Sequence, residues 1–370
     1  MKKLFIILLT VLITFTGCKK SEPENPEIPE EPIVEEEPVF TNGGFYYNWL
    51  NEEEKSAYAA IYKSFSNFEK DVKLDGITVE QLERVWYGLR YDHPEFFWMS
   101  QTYCYSSSLM SKSITSVNVE MDDNVQEIYA RIEEIGNSVI AETAGMSTYE
   151  IINHIYCWII NNTRFNATEN NQDIRSVFLN HESVCNGYAS AFQYLCNKAG
   201  IECLTVTGYA DEDTHAWNEA NIDGQYYWFD TTWSDPVGEQ DVLNYNYFCL
   251  TDDEINLHHT IDNPYFSEIT YPAAVDGSLN YYRQIGAWFD DFIEEEVAAY
   301  ITDKLNNGEY TFYLRFAYEE AARAFDAYLQ SELFSSLMQD YMSANDWNEY
   351  SCQYSYDDKI HQFTMYMNLA

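Results

Sequence analysis

Positive charge is scarce in this chain: 20 lysines and arginines stand against 61 aspartates and glutamates, for a net charge of −41. Beyond residue 38 the balance is still 53 acidic to 16 basic residues. A body this acidic repels phosphate backbones, which excludes nucleic acid as a partner class. Solubility outside the cell is a sufficient use for the charge itself. No Cys-x-x-Cys pair occurs and no Cys/His cluster has zinc-ligand spacing, so no metal or other cofactor is expected. No internal repeat is present, which sets aside solenoids and propellers. The one long apolar run, Leu4–Phe15, is too short to cross a bilayer.

That run has other uses. "MKKLFIILLTVLITFTGCKK" opens on two lysines and closes on Gly-Cys, which reads as a signal peptide over residues 1–17. A small residue directly before Cys resembles a bacterial lipobox. It implies that Cys18 takes a lipid and holds an exported protein to the bacterial cell membrane, on its periplasmic or extracellular face. Eight glutamates and five of the nine prolines follow in residues 21–38, a composition that cannot fold on itself. Residues 18–40 are therefore expected to be a disordered tether.

Aromatics are abundant in what remains (32 tyrosines, 21 phenylalanines and 9 tryptophans in the whole chain), enough for a sizeable core. Tyr58, Ile61, Tyr62, Phe65 and Phe68 recur at helical spacing, and a second helix is expected over 79–90, closing at Pro94. Strands are expected at 99–105 and 114–121, and a helix at 125–140. Residues 41–145 thus read as a helical N-terminal cap. In the next segment Ser147 and Glu150 form a capping-box pattern, Ser183 is the candidate cap for a helix starting at Cys185, and Gly200 is placed to end it. Strands follow at 201–208, 214–222, 225–232 and 245–250, giving a core over 146–275. Residues 276–370 read as a small α+β module, with strands at 281–287, 310–316, 349–356 and 360–368 and helices at 288–305 and 317–342.

Besides Cys18 there are seven cysteines, at 104, 157, 185, 196, 203, 249 and 352, an odd number that leaves at least one thiol to explain. Cys185 is the candidate nucleophile. The start of a helix favours the thiolate form of a cysteine, and its unpaired N–H groups can hold an oxyanion. Most cysteines are inert core residues, so position alone does not decide. The stretch "HAWNEANIDGQYYWFDTTW" adds an Asp-Gly hairpin signal. With Asp223 and Gly224 as the loop, Ile222 faces Gln225 and Trp217 faces Asp230. His215 and Asp230 then lie on one sheet face as diagonal neighbours, within reach of each other. A one-residue slip would separate them. Thiol, imidazole and carboxylate in that order are what covalent acyl chemistry needs.

"VCNGYASAF" and "THAWNEANIDGQYYWFDTTWSDP" closely resemble the core of the transglutaminase-like superfamily, strongly over residues 147–262 and loosely over 45–100. The resemblance implies a papain-like α+β fold, with a Cys-bearing helix packed on an antiparallel sheet that bears His and Asp. It implies Cys185 as nucleophile, His215 as general base and acid, and Asp230 as the group orienting His215. Trp217 and Asn186 are substrate-site candidates, although a core role suits Trp217 as well. His258 and His259 are expected to be structural. The implied activity is attack on an amide through a thioester. The partner is then a peptide, protein or peptidoglycan-type amide substrate, with water (a peptidase or amidase) favoured over an amine (a transglutaminase) as acceptor. The rival is a non-catalytic binding scaffold on the same fold.

Overall fold

The computed structural model describes residues 44–100, 103–108, 110, 112–167, 172–235 and 244–369. The expected leader, the expected tether and Cys18 lie outside them. Helices α1 (Glu52–Ser66) and α2 (Val79–Asp92) each start on a capping box, Asn51 with Glu54 and Thr78 with Gln81. Between them runs β1 (Asp71–Ile77), the edge of a three-stranded antiparallel sheet with β2 (Tyr103–Ser107) and β3 (Ile114–Val119). The strand expected from Met99 starts later, because Phe97–Ser100 is wound into a 3-10 turn. Asp92, wholly buried at the end of α2, accepts the backbone N–H groups of Tyr46 and Tyr47 and the Tyr58 hydroxyl at 2.8 Å. These bonds tie α2 to the start of the described chain and to α1. Helix α3 (Val125–Ala141) completes this region.

Helix α4 (Thr148–Asn162) carries the Ser147–Glu150 capping box, and Ile152, Ile155 and Ile159 are fully buried along it. A short parallel pair, β4 (Arg164–Phe165) with β5 (Glu182–Ser183), leads into α5 (Cys185–Lys198). Gly200 (φ +76°) stops α5: its N–H reaches the Asn197 carbonyl and that of Ile201 reaches the Cys196 carbonyl. Only a residue tolerant of positive φ closes a helix in this way. Five antiparallel strands follow: β6 (Cys203–Ala210), β7 (Asp213–Ile222), β8 (Gln225–Phe229), β9 (Phe248–Leu250) and β10 (His259–Ile261), in the order β10-β6-β7-β8-β9, with α6 (Asp252–Ile255) before β10. Helix α5 packs across β6 and β7. One continuous core runs from Tyr46 through α5 to Phe266, so the N-terminal region and the sheet share it. A smaller core, with Trp217, Trp228, Tyr247 and Leu250, is separate from the first.

The C-terminal residues have their own core, around Phe316, Phe325 and Phe363. Its elements are α7 (Tyr281–Gln284), β11 (Trp288–Phe289), α8 (Glu294–Asn306), β12 (Thr311–Phe316), α9 (Glu319–Leu329), α10 (Glu332–Ala344), β13 (Tyr350–Asp357) and β14 (Gln362–Leu369), with the strands ordered β11-β12-β14-β13. Three expectations fail here, the first being the helix at 288–305, which starts only at Glu294 because Trp288–Phe289 pairs with β12 as a strand. Residues 281–287 are not a strand, because the Asn280 side chain accepts the Tyr282 N–H and starts a helical turn. The helix expected over 317–342 is two helices, because Ser331 caps a new one by accepting the Phe334 N–H.

Candidate active site

Cys185 is the first residue of α5 and is partly exposed. Ser183 does not cap this helix. Its hydroxyl instead meets Ser176 Oγ at 2.6 Å, and Val184 occupies the cap position without a side-chain bond. Among the described residues no side chain caps the first turn, where the Gly187 N–H turns back onto Val184 O. Gly187 is required by crowding: a Cβ there would sit 2.1 Å from Ser183 Oγ and 2.4 Å from Ser176 Oγ.

The β7–β8 hairpin turns on Asp223 (φ +53°) and Gly224 (φ +92°), as a two-residue loop with both residues at positive φ should. Ile222 pairs with Gln225 and Asn218 with Phe229. Asn218 fastens β7 to its neighbours, its amide reaching Ala189 O of α5 at 3.0 Å and Leu204 O of β6 at 3.1 Å. Asp230 follows β8 directly, and its N–H reaches Tyr247 O. In this register His215 Nε2 lies 2.7 Å from Asp230 Oδ2. The Cys185 thiol lies near enough to act on the same imidazole, whose Nδ1 is not engaged by Asp230.

Asp230 is wholly buried and every acceptor position on it is used. Oδ1 accepts the N–H groups of Thr232 (2.9 Å) and Trp233 (3.0 Å), while Oδ2 accepts His215 and, at 2.9 Å, His259 Nε2. Burial pushes the Asp230 carboxyl up, but the charge and hydrogen bond of His215 and the hydrogen bond of His259 outweigh it and hold the group well below the usual carboxylate range. For His215, burial pushes downward, yet the Asp230 charge and hydrogen bond and the Cys185 thiol raise the imidazole to about 10. Trp233 covers both histidine rings, at 5.7 Å from His215 and 4.9 Å from His259. Asp235, at the end of the same loop, accepts the Tyr188 hydroxyl of α5 and the Phe165 N–H, which ties that loop to α5 and to β4.

Cys185 and His215 open onto a cavity of about 410 Å³. Asn186 lines it, accepting the Tyr91 hydroxyl at 3.3 Å and donating to Gln172 O at 2.8 Å. Trp217 does not: it is 1% exposed and packs behind His215 with the rings 6.2 Å apart. His259 is the residue that sequence reasoning passed over. It reaches Asp230 because β10 pairs with β6, placing His259 opposite Ala210. Gly208 permits that pairing, since a Cβ there would lie 2.1 Å from Thr260 O. The adjacent histidines at 258–259 were visible in the sequence, but the long-range pairing that selects one of them was not. Ligand atoms of His215, Asp230 and His259 also come within 4.8 Å of one another, a spacing that suits a metal ion. Their hydrogen bonds already satisfy the carboxylate, and a metal bound at His215 Nε2 would displace the bond to Asp230 that orients the ring.

A thiol at a helix start, an imidazole on a strand and a buried carboxylate after the next strand are groups that can serve as nucleophile, base and orienting partner. Residues 137–231 match the family model of the transglutaminase-like superfamily, and this part of the chain is a transglutaminase-like domain. The human kyphoscoliosis peptidase is 25% identical over 167 residues, covering 38% of this chain and 25% of that protein. Its mouse counterpart is 28% identical over 105 residues, 24% of this chain and 16% of that one. The chain thus spans a quarter or less of these relatives. Among solved structures, a TGase aligns at 14% identity over 38% of this chain and 46% of its own, with a TM-score of 0.26. The periplasmic domain of TgpA from Pseudomonas aeruginosa aligns at 13% identity over 33% and 58%, with a TM-score of 0.24.

Proposed function

We propose that the protein hydrolyses peptide-type amides through Cys185, His215 and Asp230. The observation that carries this reading is buried Asp230 bonded to His215, with that imidazole and the Cys185 thiol lining one cavity. In this reading the Cys185 sulfur attacks the amide carbonyl carbon, and the uncapped first-turn N–H groups of α5 meet the oxyanion. The His215 imidazolium passes its proton to the leaving amine, the C–N bond breaks and a thioester remains. Water then attacks the thioester while His215 takes its proton, releasing a carboxylic acid and the thiol. Asp230 keeps the imidazole oriented and stabilises its charge throughout. We further propose that the enzyme works outside the cell, held by lipid on Cys18, so that peptides, proteins and peptidoglycan stems are the amides it meets.

The test is turnover of a fluorogenic peptide library, with mass spectrometry of Cys185 during turnover and with methylamine added in parallel. Free-acid products, a trapped thioester on Cys185 and complete loss in Cys185→Ala are expected. Methylamide products in place of acids would make it a transamidase. Turnover that survives Cys185→Ala, or a thiol inert to iodoacetamide at pH 7, would leave the fold serving as a binding scaffold.

A further inference from the structure

We infer that Arg90 is the carboxylate-binding residue of this cleft, and that the preferred substrates are amides with one free carboxylate close to the scissile bond. The inference rests on the reading of Cys185 as nucleophile and adds the substrate class.

Arg90 stands in the last turn of α2 and lines the same cavity as Cys185 and His215. Its guanidinium lies over the Tyr91 ring, 5.5 Å from the centroid. The Tyr91 hydroxyl in turn bonds Asn186, the neighbour of the nucleophile. The cation thus rests on an aromatic shelf at the wall beside the thiol. That wall is fixed from behind: Gln193 Nε2 of α5 donates to Tyr91 O at 2.7 Å, the Tyr87 hydroxyl meets Thr207 Oγ1 at 2.7 Å, and buried Asp92 anchors the end of α2.

Charge makes the position informative. Arg84, Arg175, Arg283 and Arg323 each pair with a carboxylate. Among the described residues Arg90 has no such pair, nor do Arg131, Arg164 and Arg315, in a chain with 61 acidic side chains; of these four, Arg90 is the one that lines the cavity with Cys185. Asp262 lines the same cavity, yet no ion pair joins the two. An arginine left unpaired in an acidic protein, beside a reactive thiol, offers a forked donor that matches an incoming carboxylate. The net negative field of the body opposes multiply anionic ligands. A single carboxylate carried next to the amide, as at the free end of a short peptide, meets both conditions.

The experiment compares two alkylating probes that differ only in that charge, N-iodoacetyl-glycine and N-iodoacetyl-glycinamide. Second-order rate constants for Cys185 are read by mass spectrometry at pH 7 and low salt, and their ratio, acid over amide, is compared across full-length variants. Arg90→Gln is expected to lower the ratio about tenfold, and Arg90→Lys to restore part of it. Lys63→Gln, which removes an exposed cation on α1 away from the cavity, is expected to leave the ratio in place. A ratio unmoved by Arg90→Gln, while Cys185 still reacts readily with the amide probe, overturns the role of Arg90 and leaves the nucleophile reading intact. An equal fall in Lys63→Gln overturns it too, since the effect would then be the general field. A wild-type Cys185 inert to both probes overturns the nucleophile reading and, with it, the inference.

Discussion

The β7–β8 hairpin and the residue that follows it carry two fully buried carboxyl groups, Asp230 at the open end and Glu219 along β7. Their surroundings could hardly differ more. Asp230 receives four N–H donors and stays ionised. Glu219 sits between Leu204 and Trp228 in the sheet, with no donor on either oxygen among the described residues. Burial, together with the charges of Asp252 and Glu202, pushes it up to about 9. Equal burial therefore gives opposite charge states, and the donors decide which. Only one of the two can hold an imidazolium. His215, Trp217 and Glu219 alternate along one face of β7, so the anion is placed at the His215 end and a neutral acid at the other.

Removing the anion should do the most damage. Asp230→Ala is expected to reduce turnover, or alkylation of Cys185 at pH 7, by about 10³-fold or more. Asp230→Asn is the sharper version. Without the carboxylate, burial pushes the imidazole down against the Cys185 thiol alone. A step needing protonated His215 should fade near pH 10 in the wild type, but at or below about pH 6.5 in Asp230→Asn. A pH–rate profile whose alkaline limb stays in place in that variant would break the proposed coupling. Next in size is His259→Leu, which removes one of the four donors. Loss of a bond to a charged group corresponds to about 10–100-fold in rate. A structural role alone would lower stability without moving the alkaline limb, whereas a positioning role moves it downward.

How far such contrasts are legible beforehand depends on sequence separation. The hairpin register follows from Asp223-Gly224, whose positive φ angles few other residue pairs adopt, and it carries His215 and Asp230 to one face. The Ser147–Glu150 cap and the Gly200 stop are equally local. Ser183 misled because its hydroxyl had a nearer partner in Ser176, which no local pattern announces. His259, Arg90 and Tyr91 reach the cavity or the carboxylate only through packing of β10 and α2 on the sheet, contacts between residues far apart in the chain. The donors that separate Asp230 from Glu219 are of the same kind. Identical chemistry in the sequence becomes different chemistry only when the third strand or the loop arrives.

The smallest effect on activity is expected at Glu219, and it tests the neutral half of the contrast. A glutamate ionises near 4.3 in the unfolded chain, whereas the folded protein holds the proton up to about 9. Between those values the unfolded state binds fewer protons, so stability must fall as pH rises through the window and level off above it. Glu219→Gln keeps the shape and abolishes the titration. Its stability relative to wild type should therefore improve by roughly 2–4 kcal/mol between pH 5 and pH 8, read from denaturant midpoints at the two values. Turnover at pH 7 should change by no more than about twofold, because the replaced group carried no charge. If the two proteins kept parallel pH dependences, Glu219 would be ionised at neutral pH. A second buried anion would then share the sheet with Asp230, and the field on His215 could no longer be assigned to Asp230 alone.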